Sequence, residues 1–156
     1  MNTRNLKVIA AHEAKEKLNE AFKLLRKEGI IARQKFSCCN GCGGEEIATD
    51  VEKMIDAGRT APKGATFYSK QGGFIDSPDT RFARVTKLYL TFGQVHTQKY
   101  GEVGLPTVEV GKLICTALDK VGLHYEWDGT ADNSIVIDPC PGMWNAIPRH
   151  RLARVG

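Results

Sequence analysis

The sequence lacks any run near the roughly 18 apolar residues that a membrane-spanning helix needs. Its start, MNTRNLKVIAAHEAKEK, offers only Val8–Ala11 as an apolar run before charge returns, too short for the core of a signal peptide. A cytosolic (cytoplasmic) protein with no membrane partner is the expectation. Enzyme signatures are missing too. There is no G-x-x-x-x-G-K-[ST] phosphate loop, no G-x-S-x-G nucleophile turn, no H-E-x-x-H metal pair and no dinucleotide fingerprint. Nor is there a basic stripe of the kind that follows a nucleic-acid backbone. The 22 basic residues stand against 18 acidic ones, for a net charge of +4. The local basic concentration is the tail PRHRLARVG, with Arg149, His150, Arg151 and Arg154, which reads as a solvated end. Beyond that short tail nothing supports a nucleic-acid partner.

What is present is an ordinary globular composition. Hydrophobic residues make up 42% and charged residues 26% of 156, close to the average folded domain and enough chain to bury a core without staples. One domain over residues 1–156 is expected, with flexible ends at 1–9 and 148–156.

Periodicity supplies the elements. Ala11, Ala14, Leu18, Ala21, Phe22 and Leu25 recur at three- and four-residue spacing and predict a helix over 10–28, stopped by Gly29. IIARQKF then reads as a strand. A second helix carries Ile47, Ala48, Val51, Met54 and Ile55 on one face and ends at Gly58, with Glu45 and Glu46 expected in its first turn. ATFYSK and KLYLTF are strands; in the latter Leu88, Leu90 and Phe92 alternate with Lys87, Tyr89 and Thr91. QGGFIDSPDTR reads as a long connection between them, and the stretch near Tyr100 as a polar loop. A third helix, TVEVGKLICTALDKVG, has Thr107 as N-cap and Gly122 beyond its end. LHYEWD and SIVID make a final hairpin, with Leu123, Tyr125 and Trp127 on one face. This order predicts a single α+β domain, about three helices packed on a mostly antiparallel sheet of four to five strands.

Five cysteines, an odd number, argue against a fully paired disulfide framework. Three fall within FSCCNGCGGEE: Cys38, Cys39 and Cys42, between a predicted strand and a predicted helix. Three readings stand open. As metal ligands, Cys39-x-x-Cys42 on a glycine-bearing knuckle brings two thiolates to one zinc, with Cys38 beside them and Cys140, on the Pro-braced loop DPCPG, as the remote ligand. As a redox or nucleophilic pair, Cys39 and Cys42 gain from the helix start, and Cys38 could resolve an oxidised partner; Glu45 and Glu46 would oppose the thiolate. As packing residues, the thiols help shape the helix start. Cys115 lies among Leu113, Ile114, Ala117 and Leu118 and reads as a core thiol. His12 and His96 have no partner spacing, His124 falls on the polar face of its strand, and Asp76, Asp79 and Arg81 in FIDSPDTR read as a polar site or as a capped turn with surface ion pairs.

FSCCNGCG, ATFYSKQ, KLYLTFG and VGLHYEWDG…SIVI together resemble a family of small, uncharacterised bacterial proteins. Its pattern is Cys-Cys-x-x-Cys-Gly, an aromatic strand, a Leu-Tyr-Leu strand, then Gly-Leu-x-x-x-Trp-Asp-Gly, here over residues 30–138. The resemblance implies a His and an acid where this chain has Ser69 and Gly72-Gly73, with Gln71 kept between them. It implies no reaction. The functional expectation is a small cytosolic binding or regulatory module, of phage or host-interaction type, with a protein partner and with cysteines that are structural or hold one zinc. The alternative is a thiol-dependent enzyme using Cys39 and Cys42.

Overall fold

The computed structural model describes residues 3–34, 36, 40–68 and 88–137, with side chains from Glu13 onward except that of Asn40. Within them the chain forms three helices, a five-stranded sheet and a separate two-stranded sheet, an α+β domain. Helix α1 (Thr3–Lys27) starts seven residues ahead of the span its periodicity predicts. Its apolar stripe, Ala14, Leu18, Ala21, Phe22 and Leu25, is buried. Gly29, at φ +91°, turns the chain directly into β1 (Ile30–Arg33).

The chain then crosses through α2 (Asn40–Asp56) to β2 (Gly64–Phe67), which lies parallel to β1 with Ile30 opposite Gly64. β3 (Leu88–Gly93) runs antiparallel to β2 and places Leu88 and Leu90 on the core face and Tyr89 on the other, as alternation predicts. The hairpin β4 (Val95–Thr97) and β5 (Gly101–Val103) follows, then α3 (Thr107–Val121), β6 (Tyr125–Glu126) and β7 (Ile135–Ile137). The sheet order is β1-β2-β3-β7-β6, and among the described strands only the β1–β2 pair is parallel.

The sheet has helices on both faces. α1 and α3 close one face over Leu88, Leu90, Ile135 and Ile137, all fully buried. On the other, α2 sets Ile47 and Val51 against Ala65, Phe67, Val95 and Val103. Burying an aliphatic side chain is worth about 1.5–3 kcal/mol, so the larger of these two clusters contributes more than the smaller. Among the described strands β1 stands at the edge of the sheet, and Arg26 Nε donates to its Ala32 carbonyl at 3.0 Å. The Gly29 carbonyl accepts from Lys63 N at 2.8 Å on the β2 side, so by alternation Ala32 presents its carbonyl to the free edge, where an arginine blunts it.

Four local expectations are corrected. The glycine-rich motif is not a turn: α2 already starts at Asn40, and Gly41, Gly43 and Gly44 are helical. Glu45 and Glu46 therefore stand in the second turn, not the first. The reason for Gly43 is close approach, since a Cβ there would lie 2.5 Å from Phe67 Cε2. Pro106, not Thr107, is the N-cap residue of α3; Thr107 instead accepts a hydrogen bond from Gln94 N (3.3 Å). The polar stretch near Tyr100 is the β4–β5 hairpin, closed by Gly101 at φ +68°.

Candidate functional site

A groove of about 650 Å3 opens between α2 and the sheet, over β2, β3 and β4. The α2 wall includes Gly41, Gly44, Glu45, Ala48, Thr49 and Glu52, with Ile47 at its base. Gly41, Glu45, Ala48 and Glu52 recur at three- and four-residue steps, so they share one helical stripe. Two glycines and an alanine keep the wall low, and the two carboxylates rise from it. The floor is Ala65, Phe67, Thr91 and Gly93. The far rim carries Gln94, His96 and Gln98. On β4, Val95 and Thr97 are buried, which turns Gln94 and His96 the other way.

Hydrogen bonds hold these walls in place. Glu52 Oε2 accepts from Lys99 N at 2.7 Å, and Asp56 Oδ1 accepts from Lys99 Nζ at 2.7 Å and from the Tyr100 hydroxyl. The hairpin tip is thereby clasped to the C-terminal half of α2. The Lys99 ammonium and then the Tyr100 hydroxyl hold the Asp56 carboxyl below its ordinary range, while the same bond raises Lys99. On the rim, Gln94 Nε2 donates to Gly104 O (3.0 Å), and His96 Nδ1 lies 3.6 Å from Glu102 Oε1, its cross-strand neighbour. Phe67 is fixed from beneath by Phe36, whose ring meets it edge-on at 5.8 Å; Arg33 stacks over Phe36 and reaches Asp50 of α2 at 2.8 Å.

A second polar group lies across the sheet, at the carboxyl ends of β1 and β2. Tyr68 is fully buried, and its hydroxyl donates to Gln34 Oε1 at 2.9 Å. Lys15 Nζ reaches both, at 2.8 Å to Gln34 Oε1 and 2.9 Å to the Tyr68 oxygen, and Gln34 in turn bonds Asn19. This network joins α1 to the ends of both strands.

Cys42 is the third residue of α2 and is exposed. It does not line the groove, although its neighbour Gly41 does. Cys38, Cys39 and Cys140 lie outside the described residues, as do Ser69, Gln71, Asp76, Asp79, Arg81 and the basic tail. Among the described residues, no group of three or more His, Cys, Asp or Glu could hold a metal ion. Cys115 is half-buried against the α1–α3 core; burial raises its thiol pKa, and a Tyr125 hydrogen bond partly opposes that. His124 is exposed, and the side chain of His12 lies outside the described set.

Sequence reasoning missed Glu45, Ala48, Glu52, Gln94, His96 and Gln98 as one site. The available signals were the small residues Gly41, Gly44 and Ala48 on one helical stripe and the polar alternation Gln94, His96, Gln98. No helix among the described residues is long and apolar enough to cross a membrane. The family model described as Domain of unknown function (DUF6891) matches residues 9–145. No curated protein and no solved structure matches the chain.

Proposed function

The chain belongs to the DUF6891 family, and we propose that it works as a small binding module whose ligand lies in the groove between α2 and the sheet. The observation that carries this reading is the lining. A floor carrying Ala65 and Phe67, a wall kept low at Gly41, Gly44 and Ala48, and a few convergent polar groups are what a small-molecule or peptide-side-chain site needs. The cysteines of FSCCNGCG are structural in this reading, as packing thiols or as ligands of one zinc drawn from Cys38, Cys39, Cys42 and Cys140. Elemental analysis of protein purified without added metal separates those two roles. The binding role itself is tested by titrating a fragment set into 15N-labelled protein. Amide shifts should gather on Gly44, Ala48, Thr91 and His96 and vanish in a folded Ala48→Phe variant. Shifts elsewhere, or shifts that survive Ala48→Phe, overturn the reading.

A thiol-dependent activity is a second reading with one observation in its favour. Because α2 starts at Asn40, Cys42 sits in its first turn while Glu45 and Glu46 stand farther along. The helix start favours a thiolate there, and the acids oppose it less than first-turn acids would. Alkylation of Cys42 by iodoacetamide that follows an ordinary thiol pKa of about 8.5 would remove this reading.

A further inference from the structure

We propose that the groove takes a linear aliphatic polyamine, an inference that rests on the groove being a binding site. The two acids of the α2 wall decide the charge. Glu45 and Glu52 are seven residues apart, which on a helix means the same stripe and a separation of about 10 Å along the axis. Ala48 and Thr49 stand between them, the Thr49 hydroxyl turned back onto the Glu45 carbonyl at 3.1 Å, so the wall presents small side chains between two carboxylates. A chain of methylenes carrying an ammonium at each end fits that order, and its terminal nitrogens reach across two helical turns.

The rest of the lining agrees. Among the described residues no lysine or arginine lines the groove, although the chain as a whole carries a net charge of +4. The groove is therefore an acidic trough on a basic molecule, and a cation is drawn there against the general field. The rim of Gln94, His96 and Gln98 offers amide oxygens to ammonium hydrogens, and Glu102 beside His96 adds to the negative side. Phe67 and Ala65 supply an apolar floor for methylenes. The positive end of α2 lies near Gly41, but its influence fades within the first turn, and Glu45 stands beyond that turn. Lys99 N, bonded to Glu52 Oε2, orients that carboxylate and leaves it further acceptor positions.

The test uses spermidine as probe, 1,8-octanediol as a neutral chain and butylamine as a single cation, each titrated calorimetrically into the full chain. Spermidine should bind with one site, weakening as salt rises, and more tightly than either control. Glu45→Gln should weaken it about fivefold, the loss expected of one exposed ion pair. Thr49→Lys, which places an ammonium at an exposed position of the groove wall, should weaken it at least as much without disturbing the fold, and Ala48→Phe should abolish it. If the diol binds as well as spermidine and Ala48→Phe removes both, the groove is a binding site and the polyamine assignment falls. If spermidine binding ignores all three substitutions, it lies elsewhere and the assignment falls. If a lysine-rich peptide displaces spermidine and shifts amides well beyond the groove at far lower concentration, the ligand is a protein segment and the assignment again falls. If no fragment and no polyamine perturbs the groove amides, the binding reading falls with it.

Discussion

Alanine at Gly43 and alanine at Gly44 should move stability in opposite directions, although the two residues are neighbours in α2. Both have helical backbone, so each substitution gains helix propensity of about 0.5–1 kcal/mol by restricting the unfolded chain. Their surroundings differ. A Cβ on Gly44 meets nothing within 4 Å, whereas one on Gly43 would lie 2.5, 2.9 and 3.2 Å from three ring atoms of Phe67. That ring cannot swing aside easily: Phe67 is 4% exposed and Phe36 stands edge-on against it. The contact must be relieved by lifting α2 or displacing the ring, an overpacking cost of about 1–3 kcal/mol. After the propensity gain, Gly43→Ala should destabilise by up to about 2.5 kcal/mol and Gly44→Ala stabilise by about 0.5–1 kcal/mol. For a chain of this size that is a melting point lower by up to about 10 °C in the first case and higher by about 1–4 °C in the second. Urea unfolding of the two variants beside the parent measures it, with unchanged slopes confirming that the folded state is compared like for like. If both alanines stabilise equally, α2 does not rest on Phe67 at Gly43, and the account of the glycine-rich motif is refuted.

Removing Arg26 by alanine should cost about 1 kcal/mol for the lost bond to the Ala32 carbonyl and leave an open edge on β1. Sedimentation velocity at rising concentration should then show self-association that the parent lacks, and identical profiles would refute the edge argument. The clasp at Asp56 predicts a pH effect. Its folded pKa lies below 3.8 because Lys99 and then Tyr100 bond the carboxylate. A depressed acid contributes stability above the unfolded value that disappears as pH falls through the folded one. Asp56→Asn should therefore flatten the acid limb of stability against pH below 3.8, and an unchanged limb would show that the clasp adds nothing.

Much of the fold could be read from period alone. The alternation Leu88, Tyr89, Leu90 and the set Leu123, Tyr125, Trp127 identified β3 and the last hairpin, because one face of each is buried and the other is not. Helices α1 and α3 were legible for the same reason at the other period. β4 was hidden because three residues, Val95–Thr97, are too few to show a period among polar neighbours. The start of α2 was misplaced because Asn40–Gly44 has the composition of a turn, while the cause of one of its glycines, Gly43, is Phe67, 24 positions away. The groove was illegible for a similar reason. Its walls come from α2 and β4 and its floor from β2 and β3, and no local pattern joins Glu45 to His96.

The unequal cover of the two sheet faces explains why the groove lies where it does. α1 and α3 together seal one face across β3 and β7. On the opposite face, the described cover is α2 with the β4–β5 hairpin, which spans the β1–β2 half. Tyr89, on that face of β3, is 54% exposed, and its cross-strand neighbour Val136 is only half-buried. Among the described residues, the flank of α2 that looks toward β3 therefore has no helix beside it, and Gly44 and Ala48 on that flank leave space instead of filling it. Gly43, one residue from Gly44 and about 100° round the helix, faces down onto Phe67. Packing and opening are thus assigned to adjacent residues of one helix, so a side chain added at Ala48 should close the groove while the contact that seats α2 stays intact.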